Sequence, residues 1–381
     1  MNVRELTKKL ISLQSFDDGR LYEKPMSDFL VAYVEKNLPW LSIDLQEVEP
    51  NRFNVYLRDS SPTKLLVVDQ IDTVVPEQGW DGEALLPVES DGRIYGLGSS
   101  DSKGNVAAFL KALERFGETK GLAILLYVDE EYCFKGMKYF ISSSLAKNIQ
   151  PEFVLSIDGN GSVLGSGCRG LVEFDIQIRS ESGHTANPKT PGALLPYLTV
   201  FQKFQTWLKQ YSDLEQGEAT AQIANLRSGL IVNESDEGFV FGKEGNRLPN
   251  FTEAKIEIRT TPTLSWKEIE SFWKSELGRY ADLDASLTGI FDLDGFSTPR
   301  ERLKLLEQSV FDSIGSVSYL DPSTFGYLDV AMLKTVFPDA SLCSFGIGEP
   351  GVNHKPNEYV RIDRLDEGVS VYLQILKKLL T

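Results

Sequence analysis

Gly92-Arg93-Ile94-Tyr95-Gly96-Leu97-Gly98-Ser99-Ser100-Asp101-Ser102-Lys103-Gly104 joins a short apolar piece to a glycine-dense turn, with an acid at its tip and a helical pattern after it. Glycine in such a turn lets the backbone adopt conformations other residues resist and approach a ligand closely. Taken alone, Asp101 is most simply the cap of the helix that follows. The acids delivered by the flanking segments decide whether it is more than that.

Working outward, Lys64-Leu65-Leu66-Val67-Val68 reads as a buried strand ending at Asp69. Val106 to Phe116 predicts a helix. Leu122 to Val128 predicts a second buried strand, ending in Asp129-Glu130-Glu131. Met137 to Leu145 predicts a helix, and Phe153 to Ile157 a third strand ending at Asp158. Apolar strands alternating with helices, each carrying carboxylate just past its C-terminal end, predict an α/β fold. Ligands bind at that edge of such sheets, so Asp72, Asp101, Glu130, Glu131 and Asp158 are expected at one rim. Further out, residues 3–14 and 25–37 have apolar positions at helical spacing, and Asn54 to Leu57 reads as a strand.

The pattern changes near Arg169-Gly170. Val172 to Ile178 alternates at period two, as a half-exposed antiparallel strand does. Helices are expected over Leu194 to Tyr211 and Ser265 to Tyr280, and strands at Thr220 to Asn225, Phe239 to Phe241 and Ala254 to Arg259. This block reads as an α+β domain inserted into the first. The expected division is residues 1–168, an insert over 169–285, and a return over 286–381. In the return, Leu303 to Leu306, Val330 to Val336 and Leu365 to Leu380 read as helices, and Leu342 to Phe345 as a strand.

The 381 residues suit two domains. With 41% hydrophobic and 25% charged residues, the composition is that of a soluble globular protein, and no apolar run would span a bilayer. A net charge of −16 argues against nucleic acid as a partner. Cys133, Cys168 and Cys343 have no metal-like spacing and fit buried thiols in a reducing compartment. Together with an N-terminus lacking a signal-peptide core, they set a cytoplasmic expectation.

Only two histidines occur, His184 and His354, which excludes a three-histidine zinc site and a paired-histidine metalloprotease helix. Any metal site must therefore be mostly carboxylate. Acids cluster in a cleft at low cost only when a cation neutralises them. After a buried strand, Glu130-Glu131 offers one carboxylate for a metal and one for a reacting water; a solvated acidic turn is the plainer alternative. His354 lies in the turn-rich stretch Gly348 to Glu358, and His184 in Ser182-Gly183-His184-Thr185-Ala186; for each, a surface loop side chain is the plainer alternative. The glycine pairs Gly96/Gly98 and Gly159/Gly161 lack the rest of a dinucleotide or phosphate loop, and no serine or cysteine sits in a nucleophile elbow.

In order, these pieces resemble the metal-dependent deacylase and exopeptidase family of acetylornithine deacetylase, succinyl-diaminopimelate desuccinylase and bacterial glutamate carboxypeptidase. The likeness runs through Ile71-Asp72-Thr73-Val74-Val75-Pro76 with Trp80, then Gly92 to Gly104, Asp129-Glu130-Glu131 with Gly136-Met137, and Asp158. It continues with Gly183-His184, Pro188 and Gly192, Asn246 with Pro249, Arg259, Gly346-Ile347-Gly348, and His354 to Val360. The resemblance implies a zinc-exopeptidase-like catalytic domain, with the insert as lid and dimerisation surface of a homodimer. It implies that Asp101 bridges two metals, that Glu131 and His354 complete one site, and that Asp158 belongs to the other. Glu130 would be the general base acting on a metal-activated water, with Asp72 an orienting carboxylate of the catalytic set. His184, reaching in from a partner subunit, would stabilise the oxyanion, and Arg259 would hold a substrate carboxylate. Asn246 and Gly346 would line the substrate site.

One departure matters. The family has a histidine two residues before the aspartate of its first motif; this chain has Gln70 there, preceded by Asp69 where a small residue is usual. Asp101, Glu131 and His354 still make three ligands with room for water, as in a catalytic zinc site. The expectation is one strongly bound Zn. The second site, weak or empty, keeps Asp101 and Asp158, with Gln70 a candidate ligand and with Mn, Mg or Co as its candidate metals. Gln70 is expected to offer its amide oxygen to the metal and its NH2 to Asp72. Two readings follow. The leading one is a hydrolase that cleaves the amide bond of an N-acylated amino acid or a small peptide. The alternative is a non-catalytic relative that binds a small amino-acid-like ligand.

Overall fold

Leu65–Gln70 is a strand buried along its whole length, and the sheet of the first half of the chain is built around it. It runs parallel to Leu122–Tyr127 on one side and to Phe153–Ser156 on the other. Edge to edge, the seven strands are Ser42–Glu49, Arg52–Arg58, Leu122–Tyr127, Leu65–Gln70, Phe153–Ser156, Ser341–Gly346 and Val163–Gly165. The Leu122–Tyr127, Leu65–Gln70, Phe153–Ser156 and Ser341–Gly346 strands are parallel, so their C-terminal ends lie along one edge. The near-continuous Val, Ile and Leu of these strands reflect burial on both faces.

Helices cover the sheet. Val3–Ile11 starts from a reciprocal cap, in which the Asn2 side chain accepts from Glu5 N at 2.9 Å and Glu5 accepts from Asn2 N at 2.9 Å. Lys103–Phe116 packs against the closing helix Ile362–Leu380 and against Val3–Ile11, and their apolar faces share the main core with Val67, Ile124, Leu155 and Phe345.

The computed structural model describes residues 1–186, 189–235, 238–243 and 245–381. It divides into two compact units: Met1–Gly167 with Phe296–Asp321 and Leu328–Thr381, and Cys168–Gly295 with Pro322–Tyr327. The second unit is a four-stranded antiparallel sheet in the order Thr220–Gly229, Phe251–Thr260, Gly170–Ser180 and Leu283–Leu293. Leu194–Leu208 and Trp266–Leu277 pack an aromatic-rich core of Phe174, Tyr197, Phe204 and Trp273 against it.

The boundary expected at 285/286 is corrected to 295/296. Leu283–Leu293 hydrogen-bonds along Gly170–Ser180, and a strand cannot leave the sheet that satisfies its backbone. The segment expected as a helix at Val330 to Val336 forms tighter 3₁₀ turns over Asp329–Thr335. Among the described residues no helix is long and apolar enough to cross a membrane. None of the three cysteines forms a disulfide among the described residues; Cys168 and Cys343 are buried, and Cys133, expected as a buried thiol, is exposed.

Candidate active site

The acids reach the rim through local devices. Past Leu122–Tyr127 the chain turns at Asp129, whose φ of +62° is left-handed. Arg52 holds that turn, with Nη1 2.7 Å from Asp129 Oδ1 and Nε donating to Glu23 Oε2 at 3.0 Å. Asn54 bridges the turn to the next helix. Its Oδ1 accepts from Val128 N at 3.2 Å and its Nδ2 donates to Gly136 O at 2.8 Å. A Cβ at Gly136 would lie 2.5 Å from both Asn54 Oδ1 and Val128 O, so only glycine fits. Gly136→Ala should cost about 1–3 kcal/mol of stability through this overpacking, read as a lowered melting temperature of the full chain. An unchanged melting temperature would show that the turn relaxes freely.

Asp72 secures the acids themselves. Its Oδ1 accepts from Glu130 N at 3.1 Å and its Oδ2 from Glu131 N at 3.2 Å. Glu358, buried and sequence-distant, does the same for the quoted glycine turn. Its carboxylate accepts from Gly98 N at 2.9 Å, Ser100 N at 2.7 Å and Asp101 N at 2.9 Å. Asn353 Nδ2 donates to Asp101 Oδ2 at 2.9 Å, and Ser100 Oγ donates to Asn353 Oδ1 at 3.1 Å.

These supports bring Asp101, Glu131 and His354 together, with one ligand atom from each within 4.8 Å of the others. His354 Nε2 is 2.9 Å from Glu131 Oε2 and 3.2 Å from Asp101 Oδ2. The His354 side chain is 52% exposed while that of Glu131 is 4% exposed, so the group opens to solvent on the imidazole side. Hydrogen bonds to Asp101 and Glu131 raise the imidazole to about 11. Burial, reinforced by Glu131, Asp158, Asp72 and Asp101, pushes the Glu130 carboxyl well above its usual range. Burial likewise raises Asp158, with Asp101 and Glu131 adding to it.

Asp158 acts on this group electrostatically but lies outside the three-residue cluster. Gln70 is beside it: Nε2 is 3.4 Å from both Asp101 Oδ1 and Glu131 Oε1, while Oε1 is buried with no partner among the described residues. The expectation that its NH2 faces Asp72 is corrected: the NH2 turns toward Asp101 and Glu131 instead. Gly346 ends its strand against the Gly159 backbone, where a Cβ would collide.

His184, Asn246 and Arg259 belong to the second unit. His184 Nδ1 accepts from Ala186 N at 3.1 Å, and Asn246, at φ +58°, accepts from Thr185 N at 2.9 Å, so these two share one turn region. Arg259 lies on Phe251–Thr260 with Nη2 3.6 Å from Glu257 Oε2 and a buried Nη1 that has no partner among the described residues. Pro188 lies outside the described residues.

The donor set fits a divalent cation. Asp69, Asp72 and Asp101 are buried and Glu130, Glu131 and Asp158 half-buried, all acting on one another with a single imidazole against them, and the buried Gln70 Oε1 has no partner among the described residues. Carboxylates so placed are stable together when a cation shares them. Asp101, Glu131 and His354 supply the O, O, N set of a metal site that keeps an open position. Sequence reasoning missed Asn353 and the role of Glu358, because both act on a turn far away in the chain.

Residues 69–378 match the model of peptidase family M20/M25/M40. The chain is 22% identical over 355 residues to an acetylornithine deacetylase from Aliivibrio salmonicida, covering 88% of this chain and 87% of the relative. It is 28% identical over 301 residues to a succinyl-diaminopimelate desuccinylase from Sulfurimonas denitrificans, covering 75% of each. In fold it is similar to an M20 family metallo-carboxypeptidase from Sulfolobus solfataricus, with a TM-score of 0.75 at 16% identity over 100% of this chain and 99% of the other. With its buried parallel strands, its carboxylate rim and a match running across most of its length, the chain belongs to peptidase family M20/M25/M40, a family of hydrolases.

Proposed function

We propose that the chain hydrolyses the amide bond of an N-acylated amino acid, or of a small peptide, at one zinc ion held by Asp101, Glu131 and His354. The meeting of those three side chains within 4.8 Å, beside Glu130, carries this reading. When bound, the metal supplies a Lewis acid that polarises the amide carbonyl and makes water a stronger acid.

Everything else falls to the chain. Glu130 takes the proton of the attacking water and returns it to the leaving amine; burial and the neighbouring acids raise its carboxyl above the ordinary carboxylate range, which makes it a stronger base. Asp72 fixes Glu130 and Glu131 through their backbone amides. Glu358 and Asn353 hold Asp101 in place. By resemblance of sequence, His184 donates to the developing oxyanion, Arg259 grips a substrate carboxylate with its planar fork, and Asn246 and Gly346 contact substrate. On the same basis the second unit is lid and dimerisation surface of a cytoplasmic homodimer. A second metal, on Asp101 and Asp158 with Gln70, binds weakly, since oxygen donors alone favour Mn or Mg over Zn.

The test is metal content of the chain purified without chelator, paired with a hydrolysis screen of N-acetyl and N-succinyl amino acids and dipeptides in added Zn, Mn and Co. About one tightly held metal with turnover is the expected result for an open three-ligand site. Protein that stays metal-free and inert after reconstitution would overturn it.

A further inference from the structure

Trp80 belongs to a stretch that resembles the family, yet it has no part in the acid rim. With Leu86, Val88 and Tyr95 it lines a cavity of about 350 Å³ in the first unit. Leu86 is 60% exposed and Val88 51% exposed, so water covers large apolar side chains that stand together. Apolar surface gathered in this way, with a polar margin, marks a place of contact with something else.

The walls are held in place. Val88 pairs with Tyr95 across an antiparallel ladder. Leu97 N donates to Ala84 O and Leu86 N to Glu83 O, each at 2.9 Å, and Asp81 N donates to Asn357 Oδ1 at 3.0 Å. The Tyr95 ring rests 5.4 Å from that of Tyr359, and its hydroxyl accepts from Arg93 Nη1 at 3.2 Å. A cavity fixed by ladder, turn and side-chain bonds is ready for a ligand before the ligand arrives, as sites for small molecules usually are. Its volume suits a ring with a short chain and is too small for a helix or strand.

Asp81 and Glu83 are the only charged residues that line it among the described residues. Both are exposed, and neither carboxylate has an ion-pair partner among the described residues. An apolar, partly aromatic interior with two unpaired negative charges at its margin is complementary to an apolar body that ends in a cation. We propose that this cavity is a binding site for a small organic amine, with the hydrocarbon part against Trp80, Leu86, Val88 and Tyr95 and the ammonium group toward Asp81 and Glu83. None of its lining residues belongs to the Asp101, Glu131 and His354 group, and nothing in the site requires a metal.

The test uses the full chain carrying 5-fluorotryptophan at its five tryptophans, with the Trp80 resonance assigned from its loss in Trp80→Phe. The probes are phenethylamine, 2-phenylethanol and phenylacetate, which share a ring and differ in charge, titrated at low salt and followed by fluorine NMR. The expected result is a saturable shift of the Trp80 resonance, with the other four nearly still. Phenethylamine should bind about threefold or more tighter than the neutral alcohol, the scale of contacts with exposed charges. Phenylacetate should bind weakest, and added salt should narrow the differences. Asp81→Asn combined with Glu83→Gln should bring phenethylamine down to the strength of 2-phenylethanol, and Leu86→Ala should weaken all three probes. These side chains are exposed, so the variants should keep the fold, which the other four resonances report directly. No saturable shift at Trp80, equal movement of all five resonances, or phenylacetate binding as tightly as phenethylamine overturns the proposal. Unchanged phenethylamine binding in the double carboxamide variant overturns the part given to Asp81 and Glu83.

Discussion

Glu130→Gln lowers kcat by roughly 10²–10⁴-fold, the usual worth of a positioned general base, while metal content and KM stay close to those of the unaltered chain. The substitution keeps the size of the side chain and removes only its ability to take a proton. Asp72 continues to hold the turn, since it bonds the backbone amides of Glu130 and Glu131 and not the Glu130 side chain. Steady-state kinetics with metal analysis on the same preparation make the check. Turnover at the original rate would exclude Glu130 as the base; a drop accompanied by metal loss would show that it helps hold the cation.

His354→Ala carries the second large effect. It removes the one nitrogen donor of the cluster, and two carboxylates alone make a poor zinc site, so metal retained after dialysis should fall from about one per chain to almost none. Activity should fall with it. The imidazole also sets a pH dependence. Metal-free, it is held up at about 11, above its ordinary value of 6.5, by the hydrogen bonds that Asp101 and Glu131 accept from it. A metal binds the neutral ring, so below pH 11 binding must expel a proton, and apparent affinity rises with pH, by about tenfold per unit when one proton leaves. Any stability this pairing gives the metal-free chain is present below the ordinary imidazole pKa and is lost as pH rises through about 11. Calorimetry in buffers of different ionisation enthalpy counts the protons released. Zero release, or metal retained by His354→Ala, would place the ligand elsewhere.

The rim of acids was legible because each is announced by its own strand. Buried apolar runs at Leu65–Gln70, Leu122–Tyr127 and Phe153–Ser156 end where the acids begin, and such runs alternating with helices permit little besides a parallel sheet. Less legible was Ser42–Glu49, an edge strand whose mixed Asp, Gln and Glu mask its period against Arg52–Arg58. The expected boundary divides Leu283–Leu293 after its third residue, although the alternation of Leu, Ala and Leu with polar residues runs on to Thr288 and the backbone ladder to Leu293. Among site residues, those within a few positions of a strand end could be placed from the sequence. Asn353 and Glu358 could not be given their parts, because a hydrogen bond spanning most of the chain leaves no periodic trace. The orientation of the Gln70 amide leaves no trace for a related reason: the carboxylates its NH2 turns toward, Asp101 and Glu131, are 31 and 61 residues away in the chain.

The grip of Glu358 on three amides of the Gly98–Asp101 turn has a consequence for how the protein matures. A chain emerging from the ribosome exposes Asp101 and Glu131 long before His354 and Glu358 exist, and N-terminal segments fold first during synthesis. Through that interval the nascent chain carries a half-made centre, with its acids present but neither the imidazole nor the carboxylate that shapes the turn. The Asp101, Glu131 and His354 group is therefore complete only once the chain has passed Glu358. Truncations that remove His354 and everything after it are expected to lose the centre along with the helix Ile362–Leu380.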